Sequence, residues 1–222
     1  MSAGEVEQLL LPFGHTSSQR RSDFLVAAPN RAAVRLLTGA WPGAQLALVG
    51  PESCGKSHLA RIWAEEHGAA VVDAQALDGA APGPLVIEDV DRAPLADAAE
   101  RALFHLYNTV GAGGGALLLT GRRPPAQWPV RLPDLASRLS ALPPAEIAEP
   151  DDILLSSLLV KLSRDRQLVV PPRVVQQIAA RIERSYTAAN VILAALDRAS
   201  LAERRTISHK LAADVLDRLA ED

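Results

Sequence analysis

The octapeptide GPESCGKS, Gly50 to Ser57, satisfies G-x-x-x-x-G-K-[ST]. The apolar run QLALVG precedes it, and HLARIWAEEHG follows with Leu59, Ile62 and Trp63 at helical spacing. Strand, glycine-bearing loop and helix in that order restrict the fold more than any other stretch of the chain. Glycines let successive backbone N–H groups curl around an oxyanion, and the positive end of the next helix adds to the attraction. The phosphate-contacting set is then Gly50, Pro51, Glu52, Ser53, Cys54 and Gly55 in the loop, with Lys56, Ser57 and His58 opening the helix. Lys56 is expected to reach the β- and γ-phosphates of a nucleotide, and Ser57 to offer a hydroxyl to Mg²⁺. Cys54 fills a free position of the pattern, where a bystander role or a thiol pKa lowered by the helix N-terminus are both open.

Around this loop the pattern alternates. PNRAAVRLLTGAW places Asn30 before an amphipathic stretch and Gly39 behind it, as in a capped helix. AAVVDA, GPLVIEDVD and ALLLTG are apolar runs of buried-strand length, and ERALFHLYNTVGAGGG reads as a helix stopped by glycines. Strands alternating with helices predict an α/β fold, a parallel sheet covered on both faces. Near residue 143 the composition changes: LPPAEIAEP reads as a last short strand and a hinge, and four helical patterns follow from Asp151 onward. The expected organisation is an N-terminal tail over 1–22, an α/β nucleotide-binding domain over 23–149 and a small helical domain over 150–222.

The chain has 222 residues, 48% of them hydrophobic, and a formal net charge of −3, enough apolar content for a core. No run of about 18 apolar residues and no signal peptide is present, so a cytoplasmic location without membrane contact is expected. The single cysteine excludes an internal disulfide framework and a cysteine zinc cluster. The slight acidity argues against direct, non-specific binding to nucleic acid.

A nucleotide site in an open α/β sheet needs an acid at the C-terminal end of a neighbouring strand. LVIEDVD supplies Glu88 and Asp89 after Leu85, Val86 and Ile87. One carboxylate, Glu88, suits the magnesium shell, and the next suits the orientation of an attacking water.

The order of these motifs resembles the AAA+ ATPases. LLLTGRRPPAQWPVRLPDLASRL, LFHLYN and LDRAS are similar to the DnaA branch and its Hda-like regulators of replication initiation. The resemblance implies an AAA+ P-loop core with a helical lid, binding ADP or ATP with Mg²⁺. It implies that FLVAAPNRAAV lies against adenine, with Phe24, Leu25, Val26 and Asn30 near the base, although Phe24 and Val26 are equally explained as core residues. It implies that Arg138 in LASRL is an arginine finger, a guanidinium offered to the nucleotide of a neighbouring subunit; a surface ion pair is the alternative. Thr120 and Arg122 fall in its sensor segment, where an acidic residue is usual at the place Arg122 takes. Thr187 falls where a second sensor arginine is frequent. Losing that cation weakens handling of a triphosphate more than a diphosphate, so a weak or absent intrinsic ATPase and an ADP-bound form are expected.

QLLLPF, near the start, resembles the short peptide by which replication proteins dock on the bacterial sliding clamp, with Gln8, Leu9, Leu11, Pro12 and Phe13 as the contacts. A glutamine amide at a groove rim, apolar side chains in pockets and a proline that limits free conformations suit such docking. Folding back on the domain as an edge strand or staple is the alternative. With helical patterns running to Asp222, no DNA reader of the DnaA kind is expected, and DNA is approached only through the clamp. The implied partners are DnaA and the clamp, with a homo-oligomer also open. The implied role is stimulation of ATP hydrolysis on DnaA, and the rivals are a self-hydrolysing AAA+ motor or helicase-loader relative and a non-catalytic adaptor.

Overall fold

A computed structural model describes residues 24–78, 83–113 and 115–221. Helix α1 spans Arg31–Leu37, strand β1 Gln45–Val49, α2 Lys56–His67, β2 Ala70–Asp73 and β3 Leu85–Glu88. They are followed by α3 Asp97–Gly113, β4 Leu117–Gly121, α4 Pro133–Ser140 and β5 Pro144–Glu146. The rest is helical: α5 Asp152–Asp165, α6 Pro172–Ala179, α7 Tyr186–Glu203 and α8 His209–Glu221.

The five strands pair in parallel in the order β2-β3-β4-β1-β5. Side chains alternate across a strand, and here both sides are apolar. Leu46 and Leu48 of β1, Val86 of β3 and Leu118 of β4 pack with Leu59, Ala60 and Trp63 of α2 and Ala33 and Leu37 of α1. Their neighbours Ala47, Val49, Leu85, Ile87, Leu117 and Leu119 face the other way, onto Leu103, Leu106 and Val110 of α3 and Leu135 and Leu139 of α4. Continuous apolar runs in the sequence are therefore two interleaved half-cores.

Helices α5 to α8 surround a separate apolar cluster, with Leu155, Leu159 and Leu162 of α5 against Ile192, Leu193 and Leu196 of α7 and Leu211 and Val215 of α8. Three of these helices have side-chain caps: Asp151 Oδ1 accepts from Leu154 N at 2.7 Å, Ser185 Oγ from Ala188 N at 3.0 Å and Ser208 Oγ from Leu211 N at 3.3 Å. Asp151 is thus the cap of α5, leaving Asp152 as the acid of its first turn.

Two details depart from expectation. Asn30 precedes α1 but does not cap it. Its Oδ1 accepts from Ala27 N and its Nδ2 donates to Leu25 O, both at 2.8 Å, which fastens the turn before the helix. Helix α3 starts at Asp97, ahead of the ERALFHLYN pattern. The LASRL segment lies within α4. The proposed clamp contacts Gln8, Leu9, Leu11, Pro12 and Phe13 lie outside the described residues. Among the described residues no helix is long and apolar enough to cross a membrane.

Candidate nucleotide site

Every strand points its C-terminal end to one edge of the sheet, and β1 delivers the GPESCGKS loop there. Gly50 has φ +157°, and a Cβ on it would run into the carbonyl oxygen of Ile147 after β5, so this position admits only glycine. Ser53 and Gly55 also take positive φ, 56° and 105°, which curls the loop over the start of α2. No side chain caps α2, whose first-turn N–H groups face the loop interior. Lys56 is 7% exposed and donates to the loop carbonyls of Gly50 at 2.8 Å and Pro51 at 2.7 Å. A buried ammonium held by neutral acceptors, with no carboxylate among its hydrogen-bond partners in the described residues, is suited to an anion held in the same loop.

A cavity of about 420 Å³ opens here, lined by Glu52, Ser53, Gly55, Lys56, Ser57, His58, Arg61, Asp89, Arg122, Tyr186 and Thr187. The sequence thus leads to most of the wall. Arg61 and Tyr186 are additions, one a turn along α2 and the other at the start of α7.

Cys54 is a correction. Its side chain turns from the cavity into the core cluster with Leu48, Leu59 and Ile147. Burial pushes the thiol above its ordinary value, outweighing the nearby Lys56 charge and backbone hydrogen bonds that pull it down. The helix end does not activate it.

Asp89 lines the cavity with φ +59°, an unusual conformation for a residue other than glycine. Its N–H donates to Thr120 Oγ1 at 3.0 Å. Thr120 is fully buried, so it braces the turn after β3 instead of facing the cavity. Glu88 stands behind, its Oε2 3.8 Å from Arg61 Nη2 and its Oε1 buried without a hydrogen-bond partner. That orphaned oxygen fits a hydrated cation, and Ser57 and Glu88 are the residues that would hold Mg²⁺, which would there offset phosphate charge.

Arg122 reaches into the cavity and pairs with Glu52 of the loop, Nη1 to Oε2 2.8 Å. Its position depends on Asp91, a carboxylate 6% exposed that accepts from Arg122 N at 2.9 Å and Arg123 N at 2.8 Å. Gly121 permits the turn: a Cβ there would lie 2.7 Å from Trp128 Nε1, which donates to Arg123 O. Asp91 was legible only as the last acid of EDVD; its partners lie 31 and 32 residues away.

Beside the phosphate end, Phe24, Leu25 and Asn30 line an apolar cleft with Leu154 and Leu158 of α5 and with Tyr186. Gly55, His58 and Tyr186 border both spaces, so the cleft continues from the phosphate cavity. Phe24 meets His58 edge-on at 5.4 Å. Val26 does not join this group: it is 51% exposed and lines a groove with Val34 and Trp63 instead. Asn30 reaches the cleft with its amide already engaged by Ala27 and Leu25.

Thr187 touches the loop directly, its Oγ1 2.8 Å from Ser53 Oγ, and Tyr186 N donates to Ser53 O at 2.9 Å. Arg138 is exposed on α4 and absent from the cavity wall. Its guanidinium carbon lies 5.6 Å from the ring centroid of Phe104 and 5.9 Å from that of Tyr107, both on α3. Glu100, 3% exposed on the same helix, accepts from Arg131 N and from Leu132 N, which fixes the entry to α4.

No protein-family model matches the chain. Solved structures do. Domain III of the replication initiation protein DnaA from Thermotoga maritima superposes with a TM-score of 0.78 at 17% identity, over 90% of this chain and 96% of that one. AMPPCP-bound DnaA from Aquifex aeolicus gives 0.63 at 16% identity over 78% of this chain, which spans 63% of that protein. The Thermotoga maritima RuvB Holliday junction branch migration motor gives 0.64 at 17%, over 87% and 67% of the two chains. The chain therefore has the AAA+ P-loop NTPase fold, in the form seen in DnaA domain III and in RuvB.

Proposed function

We propose that this chain is a DnaA-related, Hda-like regulator of replication initiation. It works in the cytoplasm with ADP in its own site, docks on the DNA-loaded sliding clamp through its tail and presents Arg138 to the nucleotide of ATP-bound DnaA. Residues 1–22 serve as the tail, 23–149 as the nucleotide-binding unit and 150–222 as a lid. The observation that carries this reading is the placement of Arg138: exposed, outside the chain's own cavity and propped on two aromatic rings. A guanidinium held outward is arranged for a phosphate on another molecule, where it neutralises charge developing on the transferring group.

The chain's own site supports holding a nucleotide over hydrolysing one. Lys56 and the loop supply phosphate contacts, but beside them the turn after β4 brings Arg122, where the resembled family usually has an acidic sensor residue, and Thr187 stands where a second sensor arginine is frequent. Clamp docking raises the effective concentration near DNA, so a weak tail contact suffices.

The test is hydrolysis of DnaA-bound ATP in a system reconstituted with DNA-loaded clamp. Arginine fingers contribute roughly 10³ to 10⁵ in rate, so Arg138→Ala is expected to remove nearly all stimulation. Stimulation equal to that of the unchanged chain excludes the finger role. Replacing Gln8 and Phe13 together by alanine is expected to abolish clamp binding while leaving nucleotide binding intact; unchanged clamp binding removes the tail from the scheme.

A further inference from the structure

One pairing in the cavity is explained neither by the phosphate loop nor by the carboxylates after β3. Arg122, from the turn after β4, holds Glu52, a carboxylate of the loop itself, at 2.8 Å. Both residues line the space shared by Lys56, Asp89 and Thr187. Their side chains are 45% and 69% exposed, so the pair is weakly held. Phosphate oxygens, by contrast, give a guanidinium short, bidentate, charge-assisted hydrogen bonds. The base of Arg122 is firm, since Asp91 binds its N–H and Trp128 packs on Gly121, so its side chain can change partner without the turn changing shape. Glu52 acts the other way, repelling a ligand in proportion to the ligand's negative charge.

We infer that Glu52, in its pairing with Arg122, is a specificity element that makes the cavity favour a nucleoside diphosphate over the triphosphate. This rests on the cavity being a nucleotide site and names what selects between its ligands. Lys56 and the loop serve phosphates common to both ligands. The additional phosphate charge of a triphosphate meets the Glu52 carboxylate, and Arg122 offsets that charge only by leaving Glu52. Thr187 brings a hydroxyl to the same wall, already bonded to Ser53, and adds no positive charge.

The experiment is calorimetric titration of the full chain with Mg-ADP and with Mg-ATP, for the unchanged protein and for Glu52→Gln, Arg122→Ala and Lys56→Ala. The unchanged chain is expected to bind ADP more tightly than ATP. Glu52→Gln should tighten ATP roughly fivefold or more while moving ADP less than about twofold, and Arg122→Ala should weaken ATP by a similar factor with little effect on ADP. Glu52 and Arg122 are solvent-exposed, and matching thermal melts verify that these variants fold. If Glu52→Gln leaves the ATP-to-ADP ratio unchanged while Lys56→Ala loses both ligands, the pair is a surface contact only and the inference fails alone. If the unchanged chain and Lys56→Ala bind both ligands equally, or neither binds any, the nucleotide-site reading fails and this inference with it.

Discussion

Ser53 Oγ and Thr187 Oγ1 share a hydrogen bond of 2.8 Å across 134 residues of sequence. With Tyr186 N donating to Ser53 O, it ties the phosphate loop to the first turn of α7. The sheet unit and the helical cluster therefore meet at a residue whose own backbone is in the left-handed region, φ 56°. Replacing Thr187 by valine keeps the shape and removes the hydroxyl. A net hydrogen bond contributes about 1 kcal/mol, so the melting temperature should fall by roughly 2–4 °C for a chain of this size. Ser53→Ala should cost the same and the double variant no more than either, because both remove one bond. Additive losses in differential scanning calorimetry would show that the two hydroxyls act independently.

Arg138 rests on Phe104 and Tyr107, and those rings set the direction of its guanidinium. A cation–π contact at an exposed site contributes about 0.5–1 kcal/mol. Phe104→Leu keeps apolar bulk against the core and removes the ring face, so stimulation of DnaA-bound ATP hydrolysis should fall roughly two- to fivefold. ADP binding to the chain's own cavity should not change. An unaltered rate in the reconstituted assay, with folding verified by circular dichroism, would mean that the ring is dispensable for the finger.

What the sequence discloses about this molecule is governed by distance along the chain. The strands are local, since Leu46 to Val49 alternate between two faces, whereas Gly50 must be glycine because a Cβ there would strike the carbonyl oxygen of Ile147, far along the chain. Lys56, Asp89 and Arg122 reach one cavity from separate motifs because the parallel sheet gathers strand ends at one edge, and Thr187 joins them from α7. Asp91 and Glu100 were not legible as site supports. Each binds backbone N–H groups more than 30 residues away, and a backbone donor leaves no mark in composition. Asn30 departed from the expected cap, and Cys54 took the bystander role of the two left open. The amide is engaged by Ala27 and Leu25, three and five residues earlier, in a turn that competes with the cap, while the Cys54 sulfur packs beneath Gly50.

Asp91 should be among the least replaceable polar residues that support the cavity wall. Its carboxylate accepts from two backbone N–H groups of the turn that carries Arg122. Hydrogen bonds to a charged group contribute about 1.5–3 kcal/mol each, so Asp91→Ala should lower stability by roughly 3 kcal/mol or more. In urea unfolding this appears as a lower midpoint with an unchanged slope. A loss under about 1 kcal/mol would mean that the turn satisfies those donors in some other way.

The Cys54 thiol sets a pH dependence whose sign is fixed by burial. Desolvation raises its pKa above the ordinary 9.0, and the Lys56 charge and backbone hydrogen bonds reduce the rise without reversing it. Lys56 Nζ also lies 4.0 Å from the sulfur, as a donor. The folded chain therefore keeps this proton at pH values where the unfolded chain has lost it. The contribution is fully present below the unfolded pKa and is lost as pH rises through the folded one. As pH rises past the ordinary thiol value of 9.0, stability should fall more steeply for the unchanged chain than for Cys54→Ala, which lacks the titrating group. Iodoacetamide should modify the folded protein slowly at about pH 8 and rapidly once urea exposes the thiol. Parallel stability curves for the two proteins, or fast alkylation in the folded state, would place the sulfur in contact with solvent and contradict its position beneath the phosphate loop.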